Sequence, residues 1–334
     1  MVKHIIRIAL IVFALGLIGG VATVWSLRQT YQAVPGESFV RIEHGSGTAS
    51  IAKTLQKAGV IHYEWQLWVA RVLNPSAKLQ AGEYRFGEPA SVFGVLDRLR
   101  RGDIYFFDFT VPEGSNRFDI ARLIGNNGTI SSGDFIKASA DPASIRDLAP
   151  KAPSLEGFLF PSTYRLSHST TAPDLCRLMT TEFRRQWKKL DPSHSGDVLK
   201  AVTVASLVEK ETGVADERKI VAGVFTNRIE KGMRLDCDPT TIYAALLDNR
   251  YTGAIHKSDL LSQNPYNTYQ NVGLPPGPIA NPGAASLEAA LNPAATDYLF
   301  FVAKADGPGH VFSTTRAAHE KAVMAYRHAR HKAG

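Results

Sequence analysis

Hydrophobic and polar positions change rhythm sharply near the start of the chain. Ile8 to Leu27 is a run of twenty residues without a charge. Twenty residues at helical rise cover roughly 30 Å, the thickness of a bilayer's hydrocarbon core. Trp25 stands near the far end, where interfacial aromatics are favoured. Lys3, His4 and Arg7 come before the run and Arg28 follows it. The pattern predicts a cytoplasmic N-terminus at 1–7, a membrane-spanning helix at 8–27, and the rest of the chain outside. A cleaved signal peptide would carry a shorter apolar stretch and a small-x-small site. Thr23-Val24-Trp25-Ser26 offers none, so a retained anchor is expected.

After a linker at 28–37 the rhythm becomes that of a small α+β domain. Ser38 to Glu43 alternates as a strand. A Gly45-Ser46-Gly47 turn follows, and Thr48 can cap a helix with Ile51, Ala52, Leu55 and Ala58 on its apolar face. Trp65 to Leu73 reads as a second helix, Gly82 to Phe86 as a strand, and Val92 to Leu99 as a helix ended by Gly102. A weak repeat appears at an offset of 69 residues: Gly45-Ser46 and Ile51-Ala52 recur as Gly114-Ser115 and Ile120-Ala121.

From Thr110 the pattern is mostly helical. Asp174 to Leu190, Asp197 to Thr212, Glu217 to Lys231 and Thr240 to Leu247 read as helices. Tyr298–Ala303 and His310–Ser313 read as a hairpin across Asp306-Gly307-Pro308-Gly309. A final helix runs from Thr314 or Thr315 to about Arg330. Between 264 and 283, NPYNTYQNVGLPPGPIANPG has neither period. A loop of that length inside a compact domain is uncommon unless it is functional or disordered. Its tyrosines and Leu274 call for burial, which argues against disorder.

Composition adds limits. The chain has 334 residues, 44% of them apolar, with a formal charge of +7. The basic residues are scattered and not interleaved with aromatics, so no nucleic-acid partner is expected. Cys176 and Cys237 lack metal-site spacing, and nothing in the sequence shows whether they pair. No phosphate-cradling glycine loop, nucleophile elbow or dinucleotide fingerprint is present. No metal or cofactor is expected.

Candidate chemistry lies in SLVEKETG, Ser206 to Gly213. At 100° per residue Glu209 and Glu211 fall at opposite margins of a broad apolar arc, with Thr203, Ser206 and Lys210 on the polar side. A carboxyl group against an apolar wall resists ionisation and can serve as a proton donor near neutral pH. A Glu paired with Arg228 of the next helix explains either residue equally well, and helix geometry does not choose between the two acids. Asp238 and Thr240 could cap the helix carrying Tyr243 or contact a substrate. Tyr266, Asn267, Thr268 and Tyr269 supply the hydrogen bonds and stacking faces a sugar chain needs. His310 and His319 read as packing or supporting groups.

The ordered segments SLEGFLFPSTYRL, ASLVEKETG, VAGVFTNRIEKGMRLDCDPTTIY, YNTYQNVGLPPGPIANPG and HVFSTTRAAH resemble the YceG-like endolytic murein transglycosylases, the MltG family. The resemblance spans essentially the whole chain. It implies an α+β protein: an N-terminal transmembrane helix, a small LysM-like β-α-α-β domain at 38–109, and a mostly helical, lysozyme-like catalytic domain at 110–334. It implies cleavage within peptidoglycan strands at the bond between N-acetylmuramic acid and N-acetylglucosamine, leaving 1,6-anhydromuramyl ends. The catalytic acid of the family's Glu-Thr pair falls on Glu211. Tyr266, Asn267, Thr268, Tyr269, Asp238, Thr240 and Tyr243 become candidate substrate-binding residues. The implied partners are glycan strands, inner-membrane lipid around the anchor and glycan polymerases, with the catalytic domain periplasmic. A non-catalytic peptidoglycan-binding scaffold is the alternative. A hydrolysing muramidase would differ only in the attacking oxygen.

Overall fold

The computed structural model describes residues 2–33, 36–191 and 196–333, so two positions of the linker expected at 28–37 lie outside the described residues. The chain is a mixed helix-and-strand protein that divides into two compact units, 1–107 with 165–169, and 108–164 with 170–334.

The first unit opens with α1 (Val2–Arg28), which is long and apolar enough to cross a membrane. Its final turn belongs to the unit's core, because Leu27 is fully buried. Then come β1 (Ser38–Ile42), α2 (Thr48–Lys57), α3 (Glu64–Leu73), β2 (Gly82–Phe86) and α4 (Val92–Arg101). β1 and β2 pair antiparallel, with Val40 opposite Tyr84. Alternation explains which faces are buried: Val40 and Ile42 point inward while Phe39 and Arg41 point out. The inward residues meet Ile51, Ala52 and Leu55 of α2 and Val95, Leu96 and Leu99 of α4. Ser91 caps α4, and Gly102 ends it in the left-handed conformation.

The second unit begins along β3 (Phe107–Thr110) and continues with α5 (Arg117–Asn127) and α6 (Ser132–Ala140). β4 (Thr163–Leu166) pairs with β3. The faint sequence repeat thus has a structural counterpart: strand, Gly-Ser turn, helix, helix and strand occur twice in order. Gly45 and Gly114 both sit at positive φ, 78° and 72°, as the turn requires. The buried positions correspond too, Ile51, Ala52 and Leu55 to Ile120, Ala121 and Ile124.

α7 (Ala172–Leu190), capped by Thr171, buries Phe183 and Trp187. α8 (Val198–Glu211) follows, then α9 (Arg218–Glu230), α10 (Asp238–Leu247) and a one-turn α11 (Lys257–Leu260). Past the long loop come α12 (Ala284–Leu291), the antiparallel hairpin β5 (Phe300–Ala303) and β6 (His310–Ser313), and α13 (Arg316–Ala333).

α8 differs from its sequence pattern. Thr203 and Ser206 were expected on a polar side, yet every residue from Val202 to Val208 is buried. The two hydroxyls are satisfied internally. Thr203 donates to the Leu199 carbonyl, and Ser206 donates to the Thr203 carbonyl while accepting from the Ile279 N–H. Such satisfaction is what allows a polar group to be buried at low cost. α9 and α12 cover the helix on other sides. The 264–283 loop is ordered and lies against it, with Val202 and Pro278 closing on Gly157, whose φ is +85°.

A Cβ at Gly157 would sit 2.4 Å from Pro278 Cγ and 2.8 Å from Val202 Cγ1. Gly157→Ala should therefore destabilise the protein by at least about 2 kcal/mol, through strain at positive φ and overpacking. Gly133→Ala in α6, where an added Cβ meets nothing within 4 Å, should stay within about 0.5 kcal/mol of wild type. Urea titration of both variants checks the contrast; equal losses would refute this account of the packing.

Candidate active site

Glu211 is the last residue of α8. A carboxylate at a helix C-terminus faces the negative end of the macrodipole, which disfavours ionisation. Burial acts the same way and is the largest influence, raising the Glu211 pKa above the usual carboxylate range. Cys237 opposes this by donating Sγ–H to Glu211 Oε1 at 3.0 Å. Asp238 adds to the rise, whereas His310 and Arg228 favour the ionised form.

Cys237 is held from both ends of its own backbone. Its N–H donates to Thr268 Oγ1 at 3.1 Å, and its carbonyl accepts from Thr240 Oγ1 at 2.6 Å. Thr240 and Thr268 also join through their hydroxyls at 2.9 Å, and the Thr268 N–H donates to Thr240 Oγ1. The long loop is thereby coupled to the acid through Thr268 and the Cys237 thiol. Both cysteines are free and buried.

Three of the residues expected to bind a sugar are instead internal framework. Thr240, Asn267 and Thr268 are at most 1% exposed. Asn267 spends its amide on the carbonyls of Asp259, Leu260 and Ser262, and its Oδ1 accepts from Thr241 and the Tyr269 N–H. No donor is left over for a ligand. Tyr243 and Tyr266 are also buried, with ring centroids 5.0 Å apart. Asp238 is exposed and Tyr269 half-buried, and the Tyr269 hydroxyl donates to Asp238 Oδ1 at 2.6 Å. Of the seven residues, this pair offers polar groups at the surface beside Glu211.

Glu209 lies apart from this cluster. Its Oε2 accepts from the Gly283 N–H at 3.0 Å, at the foot of the loop. Glu113 crowds the same glycine, and burial, then repulsion from Glu209, raises the Glu113 pKa. Arg228 pairs with Asp236 at 3.6 Å and donates to the carbonyls of Leu235 and Leu299. It is committed to the backbone around the site rather than bridged to either acid.

Two further carboxylates emerge only in three dimensions. Glu217 accepts from the His310 N–H at 2.8 Å and lies 2.7 Å from His310 Nδ1. Burial alone would raise its pKa, but the bonds to His310 outweigh that and lower it. Thr212, next to Glu211, donates to the same carboxylate. Glu156 is 1% exposed and ties α5 to the loop. The Arg117 N–H reaches both of its oxygens, and Asn281 Nδ2 donates to Oε1 at 2.8 Å. The only sequence signal for Glu156 was a charge enclosed by apolar residues in SLEGFLF. Among the described residues no group of His, Cys, Asp and Glu could hold a metal ion.

The sequence profile of the YceG-like family matches residues 40–325. A Bacillus subtilis (strain 168) protein named endolytic murein transglycosylase is 34% identical over 306 residues, covering 86% of this chain and 84% of the relative. A protein of the same name from Streptococcus pneumoniae serotype 2 (strain D39) is 29% identical, covering 85% of this chain and 57% of that longer relative. A crystal structure of a yceG-like protein from Listeria monocytogenes matches with a TM-score of 0.57 at 29% identity, covering 86% of this chain and 99% of that one.

Glu156 gives a stability test. Burial raises its pKa to about 7, against the opposing bonds from Arg117 and Tyr243. The fold therefore favours its protonated form. That stability is complete below the ordinary carboxylate pKa and is lost as pH rises through about 7. The unfolding free energy of the wild type should fall by up to about 3 kcal/mol between acid and mildly alkaline pH from this group alone. Glu156→Gln should remove that component. An unchanged pH slope in the variant would rule the assignment out.

Proposed function

The chain belongs to the YceG-like family, and from that footing we propose that it is an endolytic murein transglycosylase with Glu211 as its single acid and base. The observation that carries this reading is a carboxyl at the end of an enclosed helix, raised in pKa by burial and held on one oxygen by Cys237. With Oε1 engaged by the thiol, Oε2 is the oxygen left to exchange a proton with substrate. A glycan-binding scaffold has no use for such an acid.

Most glycosidases use two carboxylates, with substrate-assisted enzymes among the exceptions. Here one suffices. Protonated Glu211 donates to the departing oxygen of the bond between N-acetylmuramic acid and N-acetylglucosamine. The substrate's 2-acetamido group stabilises the charge at C1. Glu211, now ionised, takes the proton of the C6 hydroxyl as that oxygen closes onto C1, giving the 1,6-anhydro end. One group acting as acid and then base works best with a pKa near the working pH. Asp238 and Tyr269 orient the glycan, while Tyr243, Tyr266, Thr240, Asn267 and Thr268 hold the groove's shape. Arg228 and His310 offset the negative charge that Glu211 acquires midway.

The same reading covers the rest of the chain. The β1-α2-α3-β2 order supports a LysM-like module, and α1 supports a single-span inner-membrane anchor with the catalytic unit periplasmic. At that location the enzyme would end nascent strands beside glycan polymerases.

The full chain in detergent should release anhydromuramyl ends from purified peptidoglycan, identified by mass spectrometry. Glu211→Gln should lower the rate at least about a hundredfold, the scale of general acid–base catalysis. Glu209→Gln should stay within about tenfold of wild type, since its carboxylate bonds the Gly283 backbone. Activity kept in the first variant and lost in the second would transfer the role to Glu209, and reducing ends would make the protein a hydrolase.

The thiol contact has its own readout. A donor to a carboxylate stabilises the ionised form. Cys237→Ala should therefore shift the alkaline limb of kcat/KM to higher pH, and Cys237→Ser should bring it back down. Superimposable profiles for the three proteins would show that the contact does not tune Glu211.

A further inference from the structure

α3 is apolar on the face it exposes as well as on the face it buries. Gln66, Leu67 and Ala70 turn into the core of the first unit. Trp65, Trp68 and Val72, at three- and four-residue spacing, form the opposite stripe and are 41%, 47% and 73% exposed. Tyr63 is also exposed and stacks on Trp65 at 6.3 Å between centroids. Arg71, the cation of this helix, turns back onto the carbonyls of Asn74 and Pro75 at 2.7 Å each. Glu64 and Arg71 lie together at one margin of this stripe, and an exposed apolar face with a charged edge is the pattern of a helix that lies at a membrane surface.

The position of this stripe selects its occupant. Gln66 Nε2 donates to Ser26 Oγ at 2.9 Å, within the last turn of α1. Leu27 is fully buried in the same core, while Trp25, two residues back on α1, is 65% exposed. The first turn of α3 is thus fastened to the point where the membrane-crossing helix leaves its apolar stretch. Tryptophan and tyrosine favour the headgroup level of a bilayer, their rings apolar and their N–H or O–H groups in reach of water.

We propose that the outer face of α3 docks into the headgroup–acyl boundary beside α1, so that the first unit lies on the bilayer as well as being tethered to it. Tyr63, Trp65, Trp68 and Val72 form the contact. The aliphatic Val72 and Leu73, 73% and 56% exposed, extend the patch beyond its rings, an apolar area that a bilayer buries and that stacking on a sugar does not use.

The chain has four tryptophans, at 25, 65, 68 and 187. Trp25→Phe leaves Trp65 and Trp68 visible above Trp187, and the further change of both to Phe supplies the baseline. Trp187, which is buried, stays untouched. Both full-length variants are reconstituted into phosphatidylcholine–phosphatidylglycerol vesicles brominated either near the headgroup or deep in the acyl chain. Flotation of the vesicles tests anchoring by α1, on which the proposal rests, and a protein that stays behind counts against both. In floated protein the difference signal should be quenched by shallow bromine, less by deep bromine, and shielded from aqueous iodide. Quenching by iodide without quenching by bromolipid would overturn the proposal. So would shielding from both, with the patch covered by a second copy or by added glycan.

Discussion

The enclosure of α8 fixes where Glu211 can be. From Val202 to Val208 the helix has no solvent side, so it can neither roll nor slide without breaking contacts on several faces at once. Its two hydroxyls are part of that lock: Ser206 receives the N–H of Ile279, and Thr203 returns to its own helix. Glu211 is therefore carried on a rigid element, with only its end reaching the surface. The neighbouring loop is shaped by the same requirement, since Pro278 passes so close to Gly157 that a methyl group would not fit.

Four carboxylates around this helix show how environment divides their roles. Glu217 is bonded twice to His310 and has a lowered pKa. Glu156 is fully enclosed, accepts from the Arg117 N–H and from Asn281 Nδ2, and still has a pKa raised to about 7 because burial dominates. Glu209 bonds the Gly283 N–H. Glu211 combines burial, a helix C-terminus and a thiol, a weak donor, and opens toward the surface beside Asp238. Only this last environment resists ionisation while leaving an oxygen free for chemistry.

Much of this was legible in the sequence, for reasons that can be traced. The apolar run of α1, the hairpin from Phe300 to Ser313 and the helix from Ala172 to Leu190 are set by local period and turn chemistry, which one sequence carries in full. The repeat at an offset of 69 residues marked two real strand–turn–helix openings because both need a left-handed glycine. The roles of Thr203, Ser206, Thr240, Asn267 and Thr268 were not legible, since a hydroxyl or amide reads as surface until its internal partner is known. The thiol beside Glu211 joins residues 26 positions apart, and Glu156 meets Asn281 across 125. Periodicity carries no trace of such pairs. The last turn of α1 is a related case, for Leu27 reads as the end of a membrane span and serves as a core residue.

The central claim is that Glu211 stays protonated to higher pH than an ordinary carboxylate because of where α8 places it. The most direct measurement is a pH titration of the carboxyl resonances in protein labelled with 13C-glutamate, with Glu211→Gln and Glu156→Gln spectra assigning the two buried signals. The expected result is a Glu211 resonance that titrates above the ordinary glutamate range. A Glu211 resonance titrating with the exposed glutamates, or below them, would contradict the account.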